Sequence, residues 1–212
     1  MGTDATTYRF AGAARAMALL ALMALVAACA GRWETSYATT LSSESSRAWR
    51  LADVIVTVPA GASTTELNTF APTADIVWHG EPLGDRKAQV AALIEEGILR
   101  GGRGLNGPRA ITITALVERF HGVTPRAVMR APAAVHSISY TMQVFDANTG
   151  EEITRPIPVR ADLEALVGPA AISAAMQGQD QRTRIVNHIA AVTAGMFSLG
   201  PDQRRSFSGL GR

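Results

Sequence analysis

Between residues 109 and 120 the chain alternates apolar and polar side chains. Ile111, Ile113, Ala115 and Val117 share one parity; Thr112, Thr114 and Glu118 occupy the other. A β-strand with one buried face reads this way, because residues two apart lie on the same face of a strand. A second such stretch spans residues 135–145, with Ile138, Tyr140, Met142 and Val144 in phase. The segment between them, with Gly122, Pro125 and Pro132, reads as a loop, so the two strands are expected to pair as a hairpin. Residues 146–150 (DANTG) form a turn, and residues 151–158 can return as a short strand.

Other segments complete the pattern. Residues 51–59 place Ala52, Val54, Val56 and Val58 on one face and end at Pro59. Residues 60–73 are rich in Gly, Ser, Thr and Pro and read as a loop; residues 74–78 read as a second short strand. Asp85 is a good N-cap for a helix whose Val90, Leu93, Ile94 and Ile98 form one apolar stripe, with Gly101-Gly102 as its stop. Residues 160–168 read as a brief helix capped by Asp162 and stopped by Gly168-Pro169. From Asp180 a longer helix aligns Ile185, Ile189, Val192 and Met196, with Val186 and Phe197 beside them. This order predicts an α+β fold: a largely antiparallel sheet of about five strands, with two main amphipathic helices packed on one face. The 47% apolar and 18% charged composition over 212 residues suits one such core and excludes a disordered chain.

The N-terminus reads as an address. Arg9 and Arg15 precede an uncharged run over residues 16–31, which falls short of the ~20 residues a membrane-spanning helix needs. Val26-Ala27-Ala28-Cys29 at its end resembles the lipobox of bacterial lipoproteins, and Cys29 is the only Cys in the chain. The resemblance implies removal of residues 1–28 as a signal peptide and lipidation of Cys29. By that family's sorting rule, Ala30 after the Cys points to the outer membrane, facing the periplasm. Residues 29–48, rich in Ser and Thr, are expected to be a polar, lipid-attached tether, in which Trp33 and Tyr37 either sit at the membrane interface or dock on the domain. Residues 49–199 form the single domain and residues 200–212 a flexible basic tail.

The net charge of +2 rests on scattered Arg; Lys87 is the only Lys. No run of like charges is interleaved with aromatics, so nucleic acid is not an expected partner. One Cys excludes a cysteine-built zinc site, and no nucleophile elbow or phosphate loop is present. No cofactor is expected.

One polar constellation stands out. Arg119 and His121 continue the apolar parity of the first long strand, and His136 continues that of the second. In a hairpin both His would point to the helix-covered face near its loop, with Arg119 beside them and Glu81 or Asp85 as acceptors. With His79 they would form either a small anion or metal pocket or a hydrogen-bonded polar plug. Residues 78–86, with a Trp, an acid, two Gly and a Pro, read as a tightly specified turn or as a ligand-facing loop.

Several of these motifs resemble an uncharacterised domain family of alphaproteobacterial lipoproteins. They are Ala74-Asp75-Ile76-Val77-Trp78-His79-Gly80, Gly84-Asp85-Arg86 with Gln89-Val90, Arg119-Phe120-His121 with Thr124, Val135-His136-Ser137-Ile138, residues 146–151, Ala161-Asp162-Leu163 and Gly178-Gln179. The resemblance implies an envelope address and one domain, and it supplies no active site. The expected function is that of a non-enzymatic binding or accessory protein with an envelope partner, in a transport or assembly complex. The alternative is a small-ligand- or metal-dependent protein using His121 and His136.

Overall fold

The computed structural model describes residues 31–38 and 40–209. The expected signal peptide, residues 1–28, and the expected lipidation site Cys29 lie outside them. The element order is β1 (Gly31–Tyr37), α1 (Ser43–Ala48), β2 (Trp49–Thr57), β3 (Thr64–Thr65), β4 (Ile76–Val77), α2 (Arg86–Gly101) and β5 (Arg109–His121). Then come α3 (Pro125–Arg130), β6 (Ala134–Asp146), β7 (Ile157–Ala161), β8 (Leu163–Ala165), α4 (Gly168–Met176), α5 (Gln181–Met196) and β9 (Arg205–Gly209).

The two alternating stretches are β5 and β6, and they pair antiparallel from Ile111↔Asp146 to His121↔Ser137. The fold is α+β as expected, but its open sheet has nine strands rather than about five. The main path runs β3-β4-β5-β6-β7-β1-β9, with β2 also on β5 and β8 also on β6. The sheet is mixed. β5, β6 and β7 run antiparallel in succession, whereas β2 and β4 lie parallel to β5. Parallel neighbours need a crossover, and α2 supplies it between β2 and β5. Pairing strands that are neighbours in sequence does not reveal such a partner.

Helices α2 and α5 cover one face of the sheet. Asp85 caps α2, its side chain accepting from the Lys87 and Ala88 amides, and Asp180 caps α5 through the Thr183 amide. The stripes Val90/Leu93/Ile94/Ile98 and Ile185/Ile189/Val192/Met196 are buried in one core with Ile111, Ile113, Ile138, Tyr140, Met142 and Val144. Each such side chain contributes roughly 1.5–3 kcal/mol on burial. Gly97 and Gly101 face α5 so closely that a Cβ on them would stand 2.6 Å from Ile189 Cγ2 and 2.4 Å from the Ala190 carbonyl oxygen.

Several local expectations are corrected. Ala52 is exposed, because a bulge between Leu51 and Asp53 resets the strand before Val54. Residues 160–168 are not a helix. Asp162 is a buried joint between β7 and β8, accepting from the backbone amides of Glu34 (3.2 Å) and Ile138 (3.1 Å). Gly168-Pro169 opens α4 instead of stopping a helix, since Pro suits the first turn. The loop after β5 contains α3, capped by Thr124. Residues 31–37, within the expected tether, form β1 on β7, with Tyr37 buried. Residues 205–209, within the expected tail, form β9 beside β1.

Candidate functional site

The expected polar cluster does not assemble. A second bulge, between Val117 and Arg119, shifts the phase of β5. Phe120 enters the core, stacking edge-on against Trp78 at 5.5 Å, and Arg119 is exposed. His121 is the cross-strand partner of Ser137, so it lies on the face opposite to His136. His121 Nε2 donates to the Ala74 carbonyl (2.5 Å), and burial holds its pKa below the usual imidazole value. His136 keeps the core parity and is buried. Its Nδ1 accepts from the Val123 amide (3.3 Å), which puts the proton of the neutral ring on Nε2, and Nε2 has no hydrogen-bond partner among the described residues. Burial pushes its pKa down to about 3, with Arg184 and His188 adding repulsion. His79 is half-buried, and burial lowers its pKa too; Glu66 nearby opposes that shift. Asp85 is engaged as the α2 cap. Among the described residues no group of three His, Cys, Asp or Glu is placed to hold a metal ion.

The 78–86 segment is a turn locked by Arg86, which the sequence names within the Gly84-Asp85-Arg86 motif but gives no role. Arg86 is buried and grips the Glu66 carboxylate through Nε (2.7 Å) and Nη2 (3.0 Å). Its Nη1 donates to the carbonyls of Glu81 and Pro82 and to Gln89 Oε1. Glu81 itself pairs with Arg182 (2.7 Å), which also reaches Glu96 (2.7 Å). The acids expected near Arg119 are therefore spent on loop and helix. The position of Arg86 directly after an N-cap, where a charged residue usually faces water, gives no hint of this role.

The unexplained apolar surface lies elsewhere. Helix α4 (GPAAISAAM) has no buried residue. Ile172 is 52% and Met176 84% exposed. A groove of about 280 Å³ runs beside it, lined on its apolar side by Val128, Leu166, Ala171, Ile172 and Ala175. Asp180, Gln181 and Arg184 line its polar end. Arg184 donates to the Glu164 carbonyl (3.0 Å). Gln181 Oε1 is shielded from water and has no hydrogen-bond partner among the described residues. A shielded acceptor left unpaired costs about 1–3 kcal/mol.

A family model matches residues 49–212, more than three quarters of the chain. The chain belongs to DUF6778, a family of unknown function. The DUF6778 region begins with β2 and contains the groove, α4 and all four His; β1 and α1 precede it. No curated protein matches the chain. Among solved structures, this DUF6778 protein is similar to a point variant of the PelC dodecamer of Paraburkholderia phytofirmans. The TM-score is 0.35 at 10% identity, over 78% of this chain and 97% of that one. A second PelC dodecamer crystal form from the same organism gives 0.32 at 10% identity, over 80% and 98%. A candidate lipoprotein of Caulobacter crescentus CB15 gives 0.29 at 17% identity, over 66% and 87%.

Proposed function

We propose that this DUF6778 protein is a non-enzymatic envelope protein, held at the periplasmic face of the outer membrane through lipidated Cys29, that binds an apolar helix of a partner protein along α4. The observation that carries this is α4 itself. A nine-residue apolar helix with no buried residue gains little within the monomer, since the packed face of a helix supplies most of its stability in a protein. Ala170, Ala171, Ala174 and Ala175 let another helix approach closely, and Met176 adapts to its shape. The groove supplies the seat and Gln181 Oε1 an acceptor at its edge. The titratable groups around it, Asp180 and Arg184, are taken up by capping and by a backbone carbonyl, which favours binding over chemistry.

The test is site-specific photo-cross-linking from position 172 in native membranes, compared with an Ile172→Asp/Met176→Asp variant and with Cys29→Ala. We expect a stoichiometric cross-linked partner that the Asp variant loses while its Tm stays within about 2 °C of wild type, as surface changes allow. Cys29→Ala is expected to lose palmitate label. A cross-link at twice the monomer mass would make a second copy the occupant. A partner retained by the Asp variant, or none captured, overturns the α4 reading.

A further inference from the structure

The face of the sheet turned away from α2 and α5 carries a second feature. Ser139 on β6 has Arg119 of β5 as its partner on one side and Arg160 of β7 on the other. Ser36 of β1 continues the row beyond Arg160. Cross-strand partners project from the same face, so two guanidiniums flank one hydroxyl. Arg32 and Trp33 of β1 close the end of a cavity of about 170 Å³ above this row. Its floor includes Ser137 and the buried Asp162.

The charges are unevenly matched. Neither Arg32 nor Arg119 makes an ion pair or a side-chain hydrogen bond among the described residues. Arg160 has only a loose contact with Glu34, at 3.5 Å. Asp162 is already occupied by the amides of Glu34 and Ile138 and by the Ser137 hydroxyl. Burial pushes its pKa up, opposed by the two amides, the Ser137 hydroxyl and the nearby Arg160. Asp75 also lies within electrostatic reach of Arg119, but its carboxylate accepts from the Ser63 amide and hydroxyl. With Asp75 and Asp162 holding other donors and Glu34 in loose contact with Arg160 alone, the guanidinium N–H groups of the row outnumber the acceptors facing them among the described residues. Arg presents a fork of N–H donors matched to oxyanions, and a hydroxyl between two forks adds a further donor. The cavity is smaller than the 300–1,000 Å³ typical of drug-sized ligands, so it suits one oxyanion group rather than a nucleotide.

The place of the cavity indicates the source. Arg32 is three residues from Cys29, and three residues of chain span at most about 10 Å. Because β1 starts at Gly31, the expected spacer between anchor and domain is taken up by the sheet. A lipid on Cys29 would hold this face at the headgroup layer. We propose that Arg32, Arg119, Arg160 and Ser139 form an oxyanion site that takes a phosphate group, supplied by a phospholipid headgroup. The headgroup source rests on the anchoring at Cys29; the phosphate chemistry does not.

The test uses the full chain extracted from its membranes into dodecyl maltoside micelles, with chloride as the background anion. Inorganic phosphate at ten times its Kd is expected to raise Tm by about 3–6 °C. Micelles doped with phosphatidylglycerol are expected to do so at a lower concentration, and a phosphate-free galactolipid not at all. Arg119→Gln and the Arg119→Gln/Arg160→Gln pair, folded as judged by circular dichroism, should lose both shifts. A shift with inorganic phosphate alone would keep the site and make free phosphate its ligand. The Cys29→Ala chain should keep the inorganic phosphate shift, so failure of the anchor is separable from failure of the pocket. No shift with either probe, or a shift that survives the Arg pair, overturns the site.

Discussion

His136 illustrates how a residue read as a candidate ligand becomes a liability under acid. In the fold it is buried and neutral, with its pKa near 3, and His188 is held near 4 by burial and by Arg205 and Arg184. Both rings return to about 6.5 in the unfolded chain. The unfolded state therefore binds more protons, and stability is complete above that value and lost as pH falls through it. Between about pH 7.5 and 5.5, each ring costs about 1.4 kcal/mol. Urea midpoints should fall over this window, and His136→Gln, which keeps an acceptor for the Val123 amide, should remove part of the fall, with His188, His121 and His79 carrying the rest. Equal midpoints at both pH values would show that neither ring is held neutral. Arg86 makes the opposite point: its sequence position looks solvated, yet four acceptors converge on it.

At the scale of elements, helix packing is decided by what is missing from side chains. The apolar stripes of α2 and α5 announce that each helix has a buried face, and Gly97 and Gly101 set how near the two axes come. A methyl group at Gly101 meets backbone of α5, which cannot give way as a flexible side chain would. Gly101→Ala is expected to cost about 1–3 kcal/mol by overpacking. Gly61→Ala, where nothing lies within 4 Å, should be close to neutral. Equal denaturation midpoints for the two variants would refute that close approach. The bulges act at the same scale. One extra residue in β5 turns Arg119 outward and Phe120 inward, so a single irregularity separates His121 from His136 and frees Arg119 for the polar face.

At the scale of the molecule, the two chain ends close the sheet edge together. The Tyr37 hydroxyl donates to Asp202 Oδ1 (2.6 Å) and accepts from the Gln203 amide (3.1 Å), and β9 lies beside β1. Deleting residues 201–212 removes both bonds, each worth about 1 kcal/mol, and should lower Tm by about 4–8 °C. Amide exchange at Thr35 and Tyr37 should then quicken; unchanged melting and exchange would restore the view of a loose tail. The α+β class, the β5–β6 hairpin, both buried stripes, the Asp85 cap and the start of the last helix at Asp180 were legible from the residues alone. Each is a local matter of periodicity or of one side chain meeting nearby amides. Tertiary structure alone decided the parallel place of β2 and β4 on β5, the strands β1 and β9, the grip of Arg86 on Glu66 and the row Arg119–Ser139–Arg160. Those depend on pairings between residues far apart in the chain, or on a bulge whose position is set by the partner strand, and neither leaves a period in the sequence.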